Sequence, residues 1–151
     1  MIRIDIPATS ANLGSGFDSL GIALTMCNRV WMEEADELKI TTTDKIKVPT
    51  DETNLIYWAA RHLYQICGKT LPGLHIIQEN NIPMARGLGS SSACIVAGIL
   101  GANRMLGSPM SQSDLINLAA QIEGHPDNTS PAISGGLVAS AMEGKLSLIH
   151  I

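Results

Sequence analysis

Cysteine is scarce. Cys27, Cys67 and Cys94 are odd in number, far apart and set among apolar neighbours. They form neither a disulfide framework nor the paired spacing of a zinc site, so buried reduced thiols are expected. Basic clusters are missing as well: the ten Lys and Arg residues are scattered and outnumbered by fourteen acids, for a formal charge of −4. That removes the electrostatic footprint of a protein that grips a nucleic-acid backbone or an anionic membrane. No apolar run approaches the length of a membrane span, and Met1-Ile2-Arg3-Ile4-Asp5-Ile6 interleaves charge with isoleucine where a signal peptide would be continuously apolar. A cytoplasmic protein follows. Repeats, low-complexity tracts and linkers are absent too, and 151 residues, 45% of them apolar, suit one domain with a sizeable core.

What is present begins with strands. Ile2, Ile4 and Ile6 alternate with charge up to Pro7, Leu20–Met26 follows a glycine-rich loop, and Arg29–Glu34 and Leu38–Thr42 read as strands joined by a turn at Glu34–Glu37. Asn54 is placed to cap a helix with Leu55, Ile56, Ala59, Ala60, Leu63 and Ile66 on one face, and Gly68 stands where a helix ends. Leu74–Gln78 is a short strand. A second helix, apolar on nearly every face, runs from Ser91 to Leu106; a third starts at Pro109-Met110-Ser111, with Ser111 and Asp114 at capping-box spacing and Gly124 at its end. Leu137–Ala141 and Leu146–Ile151 flank a hairpin turn at Glu143-Gly144-Lys145. Strands first and helices later predict an α+β fold.

Three segments carry chemistry. In Pro83-Met84-Ala85-Arg86-Gly87-Leu88-Gly89-Ser90-Ser91-Ser92-Ala93, a glycine hinge and three hydroxyls precede the buried helix. Gly87 and Gly89 let the backbone approach an anion, and the helix start offers unpaired N–H groups and a positive dipole end, the makings of a nucleotide phosphate cradle. It is not a Walker A loop, because Ser90 follows Gly89 where a lysine is required. It is not a dinucleotide fingerprint, because Ser92 stands at the third glycine position. The same serines would also serve as helix caps. In Glu123-Gly124-His125-Pro126-Asp127-Asn128, two carboxylates, an imidazole and an amide crowd into a helix end; Glu123 and a serine hydroxyl would suffice for nucleotide-bound Mg2+, or the group is a solvated turn. Around Asn12 and Asp18, the glycine-rich run from Ala8 to Gly21 either faces a small polar substrate or is ordinary loop chemistry.

Together these segments resemble the GHMP kinase superfamily, named for galactose, homoserine, mevalonate and phosphomevalonate, and within it the homoserine kinases. Asn12 to Gly21 is similar to the N-terminal signature, Pro83 to Ala93 to the phosphate loop, and His125-Pro126-Asp127-Asn128 with Gly135-Gly136 to the substrate segment. The resemblance implies ATP-dependent phosphorylation of the L-homoserine hydroxyl on the way to threonine. Ser91 and Glu123 would then hold Mg2+, and Gly87 to Ser92, flanked by Pro83, Met84, Ala85, Arg86 and Ala93, would wrap the triphosphate. Asn12, Asp18, His125 and Asp127 would line the amino-acid site, with Asp18 on the substrate ammonium. Asp127 is the local candidate for a base, and Asn128 would orient the hydroxyl. The region from Asn54 to Trp58 would supply part of an adenine slot, although Trp58 on an apolar helix also reads as core.

Relatives continue past Gly135-Gly136 into a second, ferredoxin-like domain with basic residues for the substrate carboxylate. Residues 1–145 are therefore expected to be the ATP-binding domain of a longer enzyme, a homodimer in its full form, and residues 146–151 a tail. On its own the chain is expected to turn over weakly and to expose apolar surface. A mevalonate-like acceptor, or an RNA-associated domain of the fold this family shares with a ribosomal protein, are the alternatives.

Overall fold

The computed structural model describes the chain apart from Asn12, Phe17, Lys145 and Ile151, and of residues 146–150 it describes the backbone. Three strands come first: β1 (Ile2–Ser10), the long β2 (Leu20–Glu34) and the short β3 (Lys39–Thr42). Helix α1 (Leu55–Ile66) and strand β4 (Leu74–Glu79) follow, then α2 (Ser90–Met105), α3 (Gln112–Glu123) and α4 (Thr129–Ser134), and finally β5 (Leu137–Glu143) and β6 (Leu146–His150). The architecture is α+β, as the order of elements implied.

One mixed sheet runs β3-β4-β2-β5-β6, with β1 also paired to β2. Every pairing is antiparallel except β3 with β4. Strand β2 organises the sheet: β1 follows it from Ile22 to Met32, β4 takes Arg29 to Glu34, and β5 takes Leu20 to Ile22. The two expected strands at 20–26 and 29–34 are thus one. The turn after Glu34 does not fold β3 back onto β2, because β4 inserts between them. Nor does Pro7 end β1. The register slips between Pro7 and Thr9, and a bulge is where a residue without an N–H is tolerated. That continuation carries Thr9 to the site described below.

The core lies between the sheet and the helix pair. Ile4, Ile6, Val30, Met32 and Ile76 from the strands meet Ile56 and Leu63 of α1 and Val96 and Ile99 of α2, all buried. Burying each such side chain stabilises the fold by roughly 1.5–3 kcal/mol relative to exposure. The helix boundaries follow local chemistry. Asn54 Oδ1 accepts the N–H groups of Ile56 (3.0 Å) and Tyr57 (3.4 Å). Ser111 and Asp114 close a capping box on α3. Among the described residues no helix is long and apolar enough to cross a membrane.

Candidate active site

Helix α2 begins without a side-chain cap. Its N-cap is Gly89, left-handed at φ 65° and ψ 30°, whereas Asn54 and Ser111 cap α1 and α3. The serines do not fill the gap: Ser90 opens the helix, Ser91 is exposed, and the buried Ser92 donates instead to Glu123 Oε1 at 3.0 Å. The first-turn amides and the positive end of the dipole therefore remain open to an anion.

The loop before them is wedged in place. Ala85, Gly87 and Gly89 all have positive φ, so the backbone reverses its twist at alternate residues. Leu88 C=O accepts the Thr9 N–H at 3.1 Å, and Thr9 Oγ1 donates to Asn128 Oδ1 at 2.9 Å. A Cβ on Gly89 would lie 2.2 Å from Thr9 Oγ1 and 3.2 Å from Asn128 Oδ1, so only glycine lets the loop sit this close. Thr9 ties the end of β1, the loop and the start of α4 together. Thr9 falls within the glycine-rich run from Ala8 to Gly21, where nothing in the sequence singles it out.

On its other side the loop forms one wall of a cavity of about 280 Å³ through Met84, Ala85, Ser90 and Ser91. Val48, Pro49, Leu55 and Cys94 add apolar lining, which suits a flat heterocycle. Asn54 also lines it, but its amide is fully committed: Oδ1 caps α1, while Nδ2 donates to Pro49 O (2.9 Å) and Gln78 Oε1 (3.0 Å). Trp58 does not reach the cavity. It is exposed and stacks on His62 with ring centroids 5.5 Å apart. Burial pushes the Cys94 thiol up to about 11, so little reactive thiolate exists at neutral pH. Iodoacetamide labelling of Cys94, followed by mass spectrometry, should be slow at neutral pH and rise toward pH 11. Labelling at neutral pH as fast as in the unfolded chain would contradict this placement.

Glu123 ends α3 just before the left-handed Gly124 at φ 94°. Its Oε1 takes the Ser92 hydroxyl, while Oε2 is buried without a hydrogen-bond partner among the described residues. Leaving a buried carboxylate oxygen unpaired costs free energy that a cation would relieve. Ser91, the serine expected to stand with Glu123, lines the cavity.

Asp18 comes together with His125 and Asp127 although more than a hundred residues away in sequence, each of the three offering a ligand atom within 4.8 Å of the others. His125 Nδ1 lies 2.6 Å from Asp127 Oδ1, which also accepts the Asn128 N–H at 3.0 Å. Asp127 is buried and Asp18 exposed at φ 59°. Asn12 lies outside the described residues. The model of the GHMP kinases N terminal domain matches residues 54–136, more than half of the chain.

This chain belongs to the GHMP kinases. Homoserine kinase of Trichodesmium erythraeum is 49% identical to this GHMP kinase domain over 150 residues, 95% of this chain and 49% of that protein. Homoserine kinase of Petrotoga mobilis is 46% identical over 155 residues, covering all of this chain and 50% of that protein. The crystal structure of homoserine kinase from Cytophaga hutchinsonii, 30% identical, superposes with a TM-score of 0.84 over 99% of this chain and 50% of that one. The GHMP kinase domain thus spans about half the length of the curated relatives it matches.

Proposed function

We propose that this chain is the nucleotide-binding half of a homoserine kinase, an enzyme that moves the γ-phosphoryl group of ATP to the hydroxyl of L-homoserine. The observation that carries the reading is the position of the loop. It faces the apolar cavity with Met84, Ala85, Ser90 and Ser91, and through Gly89 it touches Asn128, the neighbour of the Asp18, His125 and Asp127 cluster. Base on one side and acceptor on the other would leave the polyphosphate beside the open amides of α2.

Phosphoryl transfer asks mainly for positioning and charge neutralisation, since its transition state is loose and spreads charge over the phosphoryl oxygens. The α2 amides supply fixed donors for those oxygens. Among the described residues Oε2 of Glu123 has no partner and fits a Mg2+ ion riding on ATP, with the Ser91 hydroxyl, which Glu123 does not engage, as a second ligand. That ion would screen the polyphosphate charge. On the acceptor side, Asn128 Oδ1 already accepts from Thr9, and its Nδ2 group would donate to a bound hydroxyl and orient it. Asp127 is the nearby group able to accept the proton, and with Oδ1 engaged twice it would do so through Oδ2.

The carboxylates of Asp18 and Asp127 make a site for an ammonium, not for a bare carboxylate. The test is ADP release by the full-length protein with L-homoserine and with mevalonate as acceptors. Homoserine is expected to be phosphorylated, and a protein that prefers mevalonate overturns the reading. Asn tolerates the left-handed backbone of position 18, so Asp18→Asn removes charge without strain. It should raise the KM for homoserine about tenfold or more and scarcely affect an acceptor lacking an amine. Equal losses would remove Asp18 from the ammonium.

A further inference from the structure

Asp44 stands where no sequence motif pointed, at the start of a strap that runs from β3 to α1. Its Oδ1 accepts the Ile46 N–H at 2.7 Å; its Oδ2 accepts the Asn80 backbone N–H at 2.7 Å and Asn80 Nδ2 at 3.2 Å. The far end of the strap is pinned by Asn54 Nδ2 on Pro49 O at 2.9 Å. Between the pins stand Lys47 and Val48, and both line the nucleotide cavity together with Pro49, Gln78 and Asn80. Lys47 is the one charged residue among those lining it.

We propose that Asp44 is a positioning residue for nucleotide binding, holding the strap so that the Lys47 ammonium meets the anionic part of a nucleotide in this cavity. The inference rests on the reading that the cavity takes ATP. Ordering a strap without regular structure costs backbone entropy at every residue, so it keeps one position only where such bonds hold it. Burial alone would raise the Asp44 carboxyl, but the N–H groups of Asn80 and Ile46 outweigh it and hold the group below the usual carboxylate range. The carboxylate is therefore charged throughout neutral pH, and its charge-assisted bonds are of the stronger kind. Lys47 also borders a second groove that Asp44 lines, but no acid is among the described residues lining this cavity, so on this side its charge is left for the ligand.

Calorimetric titration of the chain with ADP and with adenosine tests this. Asp44→Asn should weaken ADP binding about tenfold, and Lys47→Met should weaken ADP by a similar factor while leaving adenosine unchanged. Because one residue acts through the other, the double variant should be little weaker than either single one. Ser111→Ala, which removes the distant α3 cap, serves as the stability control: it should lower the melting temperature and leave ADP affinity intact. Lys47 is exposed, so its variant folds even if Asp44→Asn does not. ADP binding unchanged in Lys47→Met or Asp44→Asn, losses that simply add, or an equal loss of adenosine in Lys47→Met would overturn the inference alone. A wild-type chain that binds no ADP overturns the proposed function together with it.

Discussion

Glu123→Gln is expected to lower turnover of the full-length kinase by about a hundred- to a thousandfold, the range for removing one preorganised electrostatic partner of a transition state. The glutamine amide oxygen can still accept the Ser92 hydroxyl, now 3.0 Å from Glu123 Oε1, so packing between α2 and α3 should survive. The lost quantity is the negative charge at the buried, unpartnered Oε2. A Mg2+ titration of rate checks this: the variant should need far more metal for half-maximal turnover, at a melting temperature no lower than that of the parent. Glu123→Ala would also strand the Ser92 hydroxyl in a buried place, at a further cost of about 1–3 kcal/mol. Ordinary turnover at ordinary Mg2+ in Glu123→Gln would remove Glu123 from the metal.

The helices were legible because their ends are written in neighbouring residues. Asn54 caps α1, Gly68 at φ 67° follows it, Ser111 and Asp114 open α3, and Gly124 closes it, each acting within a few positions of its partner. The insertion of β4 between β2 and β3 was not legible, since strand order depends on which distant edge is free and not on local pattern. Helix α4 was hidden for another reason: its six residues hold Pro131 and no apolar stripe, and it is fixed by packing on β1, β2 and α3.

At the candidate site, the loop before α2 announced itself through glycine and serine spacing, and Asp18, His125 and Asp127 entered through resemblance before the fold gathered them. Two parts were out of reach. Thr9 was obscured by the expectation that Pro7 ends β1, and the strap from Asp44 to Pro49 carries no motif because its role depends on bonds to Asn80 and Asn54. Trp58 missed both readings offered for it, standing outside the core and the cavity alike.

Gly21→Ala should be the most damaging single methyl group. Gly21 is buried in β2 where α4 begins, and an added Cβ would lie 1.8 Å from the Asp127 carbonyl oxygen and 2.8 Å from Pro131 Cγ. Neither neighbour yields cheaply. The first is backbone, held by the 2.9 Å bond from Ser130 N–H to Pro126 O and the 3.0 Å bond from Asn128 N–H to Asp127 Oδ1, and the second is a rigid ring. Relief requires β2 and α4 to move apart, a cost of about 3 kcal/mol or more, at or beyond the upper end for overpacking. Urea unfolding should show the loss as a lower midpoint. Gly107→Ala is the useful comparison, because its Cβ meets nothing within 4 Å and only the left-handed backbone at φ 81° resists it, a cost of about 1–2 kcal/mol. The damage at Gly21 should also be functional: any shift of Asp127 carries Asn128 with it, stretches the 2.9 Å bond from Thr9 Oγ1 and loosens the wedge behind Gly89. If the Gly21 variant is no less stable than the Gly107 variant, β2 and the start of α4 do not meet at this distance, and the link from the sheet to the cluster of Asp18, His125 and Asp127 fails with it.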